Sequence, residues 1–272
     1  MKPLSEFSPE QRSAIRGVFF DVDDTLTSFG RLTGRAYTAM ERLHDAGLLV
    51  VPVTGRPAGW CDHIARMWPV DAVVGENGAF WFRYDPAMRN MIRRFVDDAA
   101  TRAQLRQRLV PVCDRILAEV PGCALASDQR FRETDLAIDY CEDVPRLRPA
   151  AVERIAALMQ EAGLNAQVGS NHVNGWFGTY DRLAMTRALM KEAFATELDS
   201  ARGAYLYVGD SPNDAPMFGY FPCAVGVANV REFAATIATP PAYVTDSPAG
   251  EGFVELVDAL LSVKRVRHDD EL

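Results

Sequence analysis

The chain reads as an α/β protein, a doubly wound, Rossmann-like parallel sheet carrying an inserted α+β segment. Three observations predict this. Short runs rich in Val, Leu, Ile, Tyr and Phe alternate with helix-period segments near both ends. Each of the main runs passes directly into acidic or hydroxyl residues, as strands do where a parallel sheet gathers its loops into one crevice. Between residues 85 and 178 that rhythm is replaced by two long amphipathic stretches and several alternating ones.

In order, residues 15–20 form a strand, 33–46 a helix ending near Gly47, 48–53 a strand, 59–67 a short helix and 71–74 a third strand. Asp85-Pro86 marks a turn. Leu105, Leu109, Val112, Ile116 and Leu117 then recur at helical spacing within 99–120. Leu136, Ile138 and Tyr140 alternate within 130–140, which reads as a strand. Residues 149–162 form a second amphipathic helix, followed by strands at 165–168 and 172–177. The α/β pattern resumes with a helix at 183–195, a strand at 204–208, a short helix at 215–218, a strand at 223–227 and a closing helix at 253–263; residues 265–272 read as a polar, frayed tail. The expected division is therefore a core of residues 1–84 and 179–272 with a cap at 85–178.

With 272 residues, 48% hydrophobic and 24% charged, the chain can bury a sizeable core. A net charge of -8 argues against nucleic-acid binding, which needs a clustered basic surface. Arg102, Arg106 and Arg108 read as the wet face of a helix. Five cysteines form neither a Cys-x-x-Cys pair nor a zinc spacing and are expected to be reduced. No apolar run suits a signal peptide or spans a bilayer, so the expectation is a cytoplasmic protein without membrane contact. Oligomeric state has no sequence signature.

The chemistry resides in four short segments: Asp21-Val-Asp23-Asp24-Thr25, Thr54-Gly55-Arg56, Arg182 at a helix start, and Gly209-Asp210-Ser211-Pro212-Asn213-Asp214. Asp21 and Asp23 point the same way if the chain stays extended, and a turn would separate them. One carboxylate can attack phosphorus while the other protonates the departing alkoxide and later deprotonates water. Carboxylate and phosphate repel, so a cation is required; oxygen ligands from Asp210 and Asp214, without His or Cys, favour Mg²⁺. The Thr54 hydroxyl, the amides after Asp21 and a cationic side chain can stabilise the transferring group.

This ordered set resembles the haloacid dehalogenase superfamily of phosphatases, in the branch with a cap between its second and third motifs (Cof-type, subfamily IIB). That branch includes sucrose-phosphate and trehalose-phosphate phosphatases and phosphomannomutases. The resemblance implies Asp21 as nucleophile and Asp23 as general acid/base. It also implies Mg²⁺ on the Asp21 carboxylate, the Asp23 main-chain carbonyl and Asp210, with Asp214 orienting one of the ion's waters. Thr54, with Gly55 and Arg56 beside it, and Asn213 would meet the phosphoryl group or its neighbours. The third motif normally presents Lys where this chain has Arg182; Lys191 lies about two and a half turns further on, too far along the helix to reach the same spot. His172 and Asn174 could bind sugar hydroxyls, with Trp176 offering a stacking face. Glu76-Asn77-Gly78-Ala79, closing the third strand, also resembles the family and reads equally as a brace for the hinge or as a plain turn. The implied activity is hydrolysis of a small phosphorylated metabolite, with sugar phosphates as the class. A phosphosugar mutase and a non-catalytic protein retaining the fold stand as alternatives.

Overall fold

The computed structural model describes residues 1–269. In chain order its elements are β1 (Lys2–Pro3), α1 (Pro9–Ala14), β2 (Gly17–Phe20), α2 (Gly34–Asp45), β3 (Leu49–Pro52), α3 (Ala58–Met67), β4 (Val73–Gly75), β5 (Phe80–Asp85), β6 (Asn90–Phe95), α4 (Ala99–Glu119), β7 (Ala124–Leu125) and β8 (Leu136–Asp139). Then follow α5 (Pro149–Glu161), β9 (Asn165–Val168), β10 (His172–Trp176), α6 (Arg182–Phe194), α7 (Leu198–Ala201), β11 (Tyr205–Gly209), α8 (Ala215–Tyr220), β12 (Val225–Gly226), β13 (Tyr243–Val244) and α9 (Ala249–Asp269).

The central sheet has six parallel strands in the order β1-β13-β12-β11-β2-β3. Apart from the exposed edge strand β1, its strands are buried on both faces, and the period-2 alternation sorts their side chains into two cores. Val18, Phe20, Val50, Leu206 and Val208 pack with Met40 and Leu43 of α2 and with Phe253, Leu256 and Leu260 of α9. Phe19, Val51, Val53 and Tyr207 pack oppositely, with Leu189 and Met190 of α6 and with Met217 and Phe218 of α8. Strand β2 is the switch point, because the chain proceeds from it to β3 on one side while β11, β12 and β13 lie on the other. Loops diverge there, leaving a crevice beyond the strand ends.

Two antiparallel sheets complete the molecule. In β4-β5-β6, a bridge from Val74 to Val53 joins the three strands to the end of β3. The break expected at residue 85 falls at the turn of the β5–β6 hairpin, because Phe80, Phe82 and Phe95 cluster across both strands. The four-stranded sheet β7-β8-β10-β9 carries α4 and α5 over a core of Leu109, Ile116, Ile138, Ile155, Leu158 and Val173.

The strand expected over 130–140 is confined to β8. Residues Gln129–Phe131 instead make a 3₁₀ turn, and Arg132 folds back onto Asp128 and Asp135, which takes the segment out of extended conformation. The helix expected at 253–263 is longer, running through α9, so 265–269 continue it, and the rest of the expected tail, residues 270–272, lies outside the described residues. Arg102 and Arg106 of α4 reach Glu133, and Arg102 also lies over Phe95 at 3.7 Å. All five cysteines are free. Among the described residues, no helix is long and apolar enough to cross a membrane.

Candidate active site

Neighbouring strands β11, β2 and β3 end side by side, which sets Asp210, Asp21 and Thr54 along one edge of the crevice. Asp21 is 5% exposed and Asp210 3%, while Asp214 is fully buried. One carboxylate oxygen from each lies within 4.8 Å of the others. Burial pushes Asp21 and Asp210 well above the usual carboxylate range, and Asp214 adds repulsion to both; Arg182 opposes the shift at Asp21.

Arg182 opens α6, where Asp181 caps the helix by accepting the Ala184 N–H at 2.7 Å. Its Nη1 lies 3.2 Å from Asp21 Oδ1 and 3.0 Å from Asp214 Oδ1. Nε and Nη2 both donate to Asn77 Oδ1 at 3.2 Å. Asn77 is held for this by three consecutive left-handed residues, Glu76 (φ 43°), Asn77 (φ 56°) and Gly78 (φ 104°). A Cβ at Gly78 would fall 2.1 Å from the Asp181 carbonyl oxygen, so the approach of this turn to the start of α6 requires glycine. Lys191 is exposed and pairs with Glu197 at 2.9 Å, leaving Arg182 as the cation at Asp21 among these two.

The remaining acids are held by their own loop. Asp214 Oδ2 accepts the N–H groups of Asp210 (3.0 Å) and Ser211 (3.2 Å), while Tyr207 donates its hydroxyl to Oδ1. Asp210 accepts from Thr25 Oγ1 at 2.8 Å and from Asn229 Nδ2 at 3.2 Å. Asp24 turns the chain with φ 56°.

One cavity joins this edge to the inserted layer. Asp21, Asp23, Gly55, Arg56, Arg182 and Asn213 line it from the central sheet, and Asn77 and Arg132 from beside it. From the layer above come Gln167, Gly169, Ser170, Asn171, His172 and Asn174. Thr54 is excluded from the lining: it is fully buried, and its Oγ1 accepts the Arg56 N–H at 3.1 Å. Asp23 faces the cavity with its carboxylate clamped by Arg56, Nε to Oδ2 at 2.9 Å and Nη2 to Oδ1 at 2.7 Å. Asn174 donates to Asp135 at 2.8 Å. Trp176 does not reach the cavity, because its ring is 6% exposed and stacks on Tyr180, with Nε1 donating to the Tyr180 carbonyl at 3.3 Å.

Glu76 ties the two layers together. Its carboxylate accepts N–H groups from Ala58 (2.9 Å), Glu133 (2.9 Å) and Thr134 (2.7 Å) and the Thr134 hydroxyl. Burial raises its pKa above the ordinary carboxylate range, with Arg132 opposing.

Glu142, Arg132 and the cavity-facing Gln167 had no motif to expose them, whereas Ser170 and Asn171 belong to the polar run that leads into His172. The nearest signal was the i, i+3 charge pair of Arg132 and Asp135 in a stretch whose apolar alternation read as a strand.

Residues 18–102 match the model of the haloacid dehalogenase-like hydrolases. A phosphoglycolate phosphatase of Haloarcula marismortui is 34% identical over 128 residues, covering 47% of this chain and 49% of that protein, so the match spans about half its length. One from Methanothrix thermoacetophila is 24% identical over 90% of this chain and 96% of its own. The C-terminal domain of C. albicans trehalose-6-phosphate phosphatase superposes with a TM-score of 0.70 at 14% identity, over 96% of this chain and 98% of that one. The matched segment holds Asp21, Asp23, Thr54, Gly55 and Arg56, so over that part the chain is similar to the haloacid dehalogenase-like hydrolases, and the solved structure shares its fold.

Proposed function

We propose that the protein hydrolyses a small phosphate monoester, a sugar phosphate by class, through an aspartyl-phosphate on Asp21. The observation that carries this is the meeting of Asp21 with Arg182 at 3.2 Å on the floor of a cavity that Asp23 also lines. Asp21 attacks phosphorus, forming an O–P bond as the bond to the leaving oxygen breaks. Asp23 donates its proton to that oxygen, then takes one from the water that attacks the phosphoryl group and releases phosphate from Asp21. Arg182, Asn213 and the Gly55 turn next to buried Thr54, which meet at the cavity edge, would orient the transferring group.

Three buried carboxylates facing one guanidinium leave negative charge in excess, and an all-oxygen donor set suits a hard divalent ion. Asp21, Asp210 and the Asp23 carbonyl would hold Mg²⁺, with Asp214 behind them. Bound there, Mg²⁺ offsets the repulsion between Asp21 and an incoming phosphate dianion.

Support for a hydroxylated leaving group comes from the cavity's upper wall. Gln167, Ser170, Asn171 and Asn174 are neutral donors and acceptors, whereas Arg56 is paired with Asp23 and Glu142, and Arg132 with Asp128 and Asp135. A second phosphate, as a mutase requires, would have to break those pairs. A carboxylated ester of the phosphoglycolate kind is the second reading, favoured by the names of the two relatives. The segment from 97 to 178, above the cavity, would serve as the cap.

The test is phosphate release from glucose 6-phosphate, trehalose 6-phosphate, glycerol 3-phosphate and phosphoglycolate, with Mg²⁺ and with chelator, beside thermal unfolding in both conditions. We expect metal-dependent release, a higher Tm with Mg²⁺, and a loss of at least about 10³-fold in Asp21→Asn with its fold retained. Turnover by Asp21→Asn at the wild-type rate would remove Asp21 from the nucleophile's role.

A further inference from the structure

Glu142 sits on the turn after β8, and its carboxylate meets three residues that line the cavity. Oε1 accepts from Arg56 Nη2 at 2.9 Å and from Asn171 Nδ2 at 3.5 Å, and Oε2 lies 2.8 Å from His172 Nε2. Its own loop is held in place: buried Asp139 accepts the N–H groups of Cys141 (2.9 Å) and Glu142 (2.8 Å) on one oxygen and that of Asp143 (2.8 Å) on the other. Such a three-donor turn leaves the Glu142 backbone little freedom. Arg56, 6% exposed, is thereby stretched between Asp23 and Glu142, with Asp128 a further 3.8 Å from Nη1.

We propose that Glu142 is a positioning residue that links the reading of the leaving group to its protonation. Resting on the phosphatase reading above, this assigns His172 and Asn171 to the substrate side of the link and Arg56 to the acid side. With Glu142 present, the Arg56 fork is drawn toward the inserted layer and presents Nε and Nη2 to Asp23, which holds the carboxyl toward the leaving oxygen. Without it, Asp128 competes for the guanidinium and the clamp on Asp23 loosens. His172 and Asn171 lose the same support at that moment, so recognition and acid placement fail together.

The link is tested by comparing the best-cleaved alkyl phosphate of the panel with p-nitrophenyl phosphate, whose leaving group departs as a stable phenolate and needs no proton. Glu142→Ala and the near-isosteric Glu142→Gln, both checked for folding by thermal unfolding, should lower kcat/KM, which reports phosphoryl transfer to Asp21 and not the later hydrolysis common to both esters, by about 10- to 100-fold on the alkyl ester and by no more than about threefold on the aryl ester. Combined with Arg56→Ala, either variant should add little further loss on the alkyl ester. Equal losses on both esters, no loss on either, or effects that multiply with Arg56→Ala would overturn the assignment. If the wild type releases phosphate from neither ester, the phosphatase reading itself falls, and this link with it.

Discussion

Arg182 shows how a single exchange can be absorbed by its surroundings. A lysine ammonium is a compact charge with three donors, whereas the guanidinium fork spreads its donors over a plane. Here Nη1 turns to Asp21 and Asp214, and the far edge of the fork is occupied by Asn77 Oδ1. Asn77 and Tyr207 therefore fit an arginine, and the site is shaped around the residue it has. Arg182→Lys should leave Asn77 Oδ1 buried without its donor, lowering stability by about 1–3 kcal/mol and kcat by about tenfold or more. Denaturant unfolding and steady-state kinetics on one preparation check both. A variant as fast as wild type would show that point charge alone suffices there.

The decisive elements for the site are the turn from β4 into β5 and the start of α6. Glu76, Asn77 and Gly78 form a strained, buried corner whose side chains reach in different directions, Glu76 to the inserted layer and Asn77 to Arg182. Gly78→Ala would place a Cβ against the Asp181 carbonyl at a φ of 104° that L-residues avoid. We expect it to destabilise by about 2–4 kcal/mol, measured by urea unfolding, and to displace α6, so that activity falls in the surviving folded fraction. The importance of this corner was partly legible: the Glu-Asn-Gly-Ala run read equally as a hinge brace or a plain turn. Its reach to Thr134 was not, because that contact joins residues 58 apart across two layers.

For the molecule as a whole, the contact between the layers carries a pH dependence. The His172 contact, followed by Arg56, holds Glu142 down at about 2, against burial and an ordinary value of 4.5. A depressed folded-state pKa means that the pair contributes stability above pH 4.5, and that this contribution drains away as pH falls from 4.5 toward 2. The side chain is 30% exposed, so solvent screens the pair and the contribution is modest. Unfolding wild type and Glu142→Gln in denaturant at pH 6, 4.5 and 3 should give a gap that is widest at pH 6 and narrows on acidification. A gap independent of pH would mean that the pair makes no ionic contribution.

Strands β2, β3 and β11 and helices α2, α5 and α6 were all legible to within a few residues, because hydrophobic periodicity is a local property that burial merely exploits. The positions of Asp21, Asp23, Asp210 and Asp214 near strand ends follow from the same periodicity, since their segments come after β2 and β11. What the chain could not announce locally is partnership. Arg56 read as a group for substrate, yet its fork is taken up by Asp23 and Glu142; Trp176 read as a stacking face, yet it is packed on Tyr180. Thr54 stood in its motif but its hydroxyl is turned to the Arg56 amide. Such pairings depend on charges and rings brought together by packing of layers distant in sequence, where a few ångströms decide which partner a side chain takes.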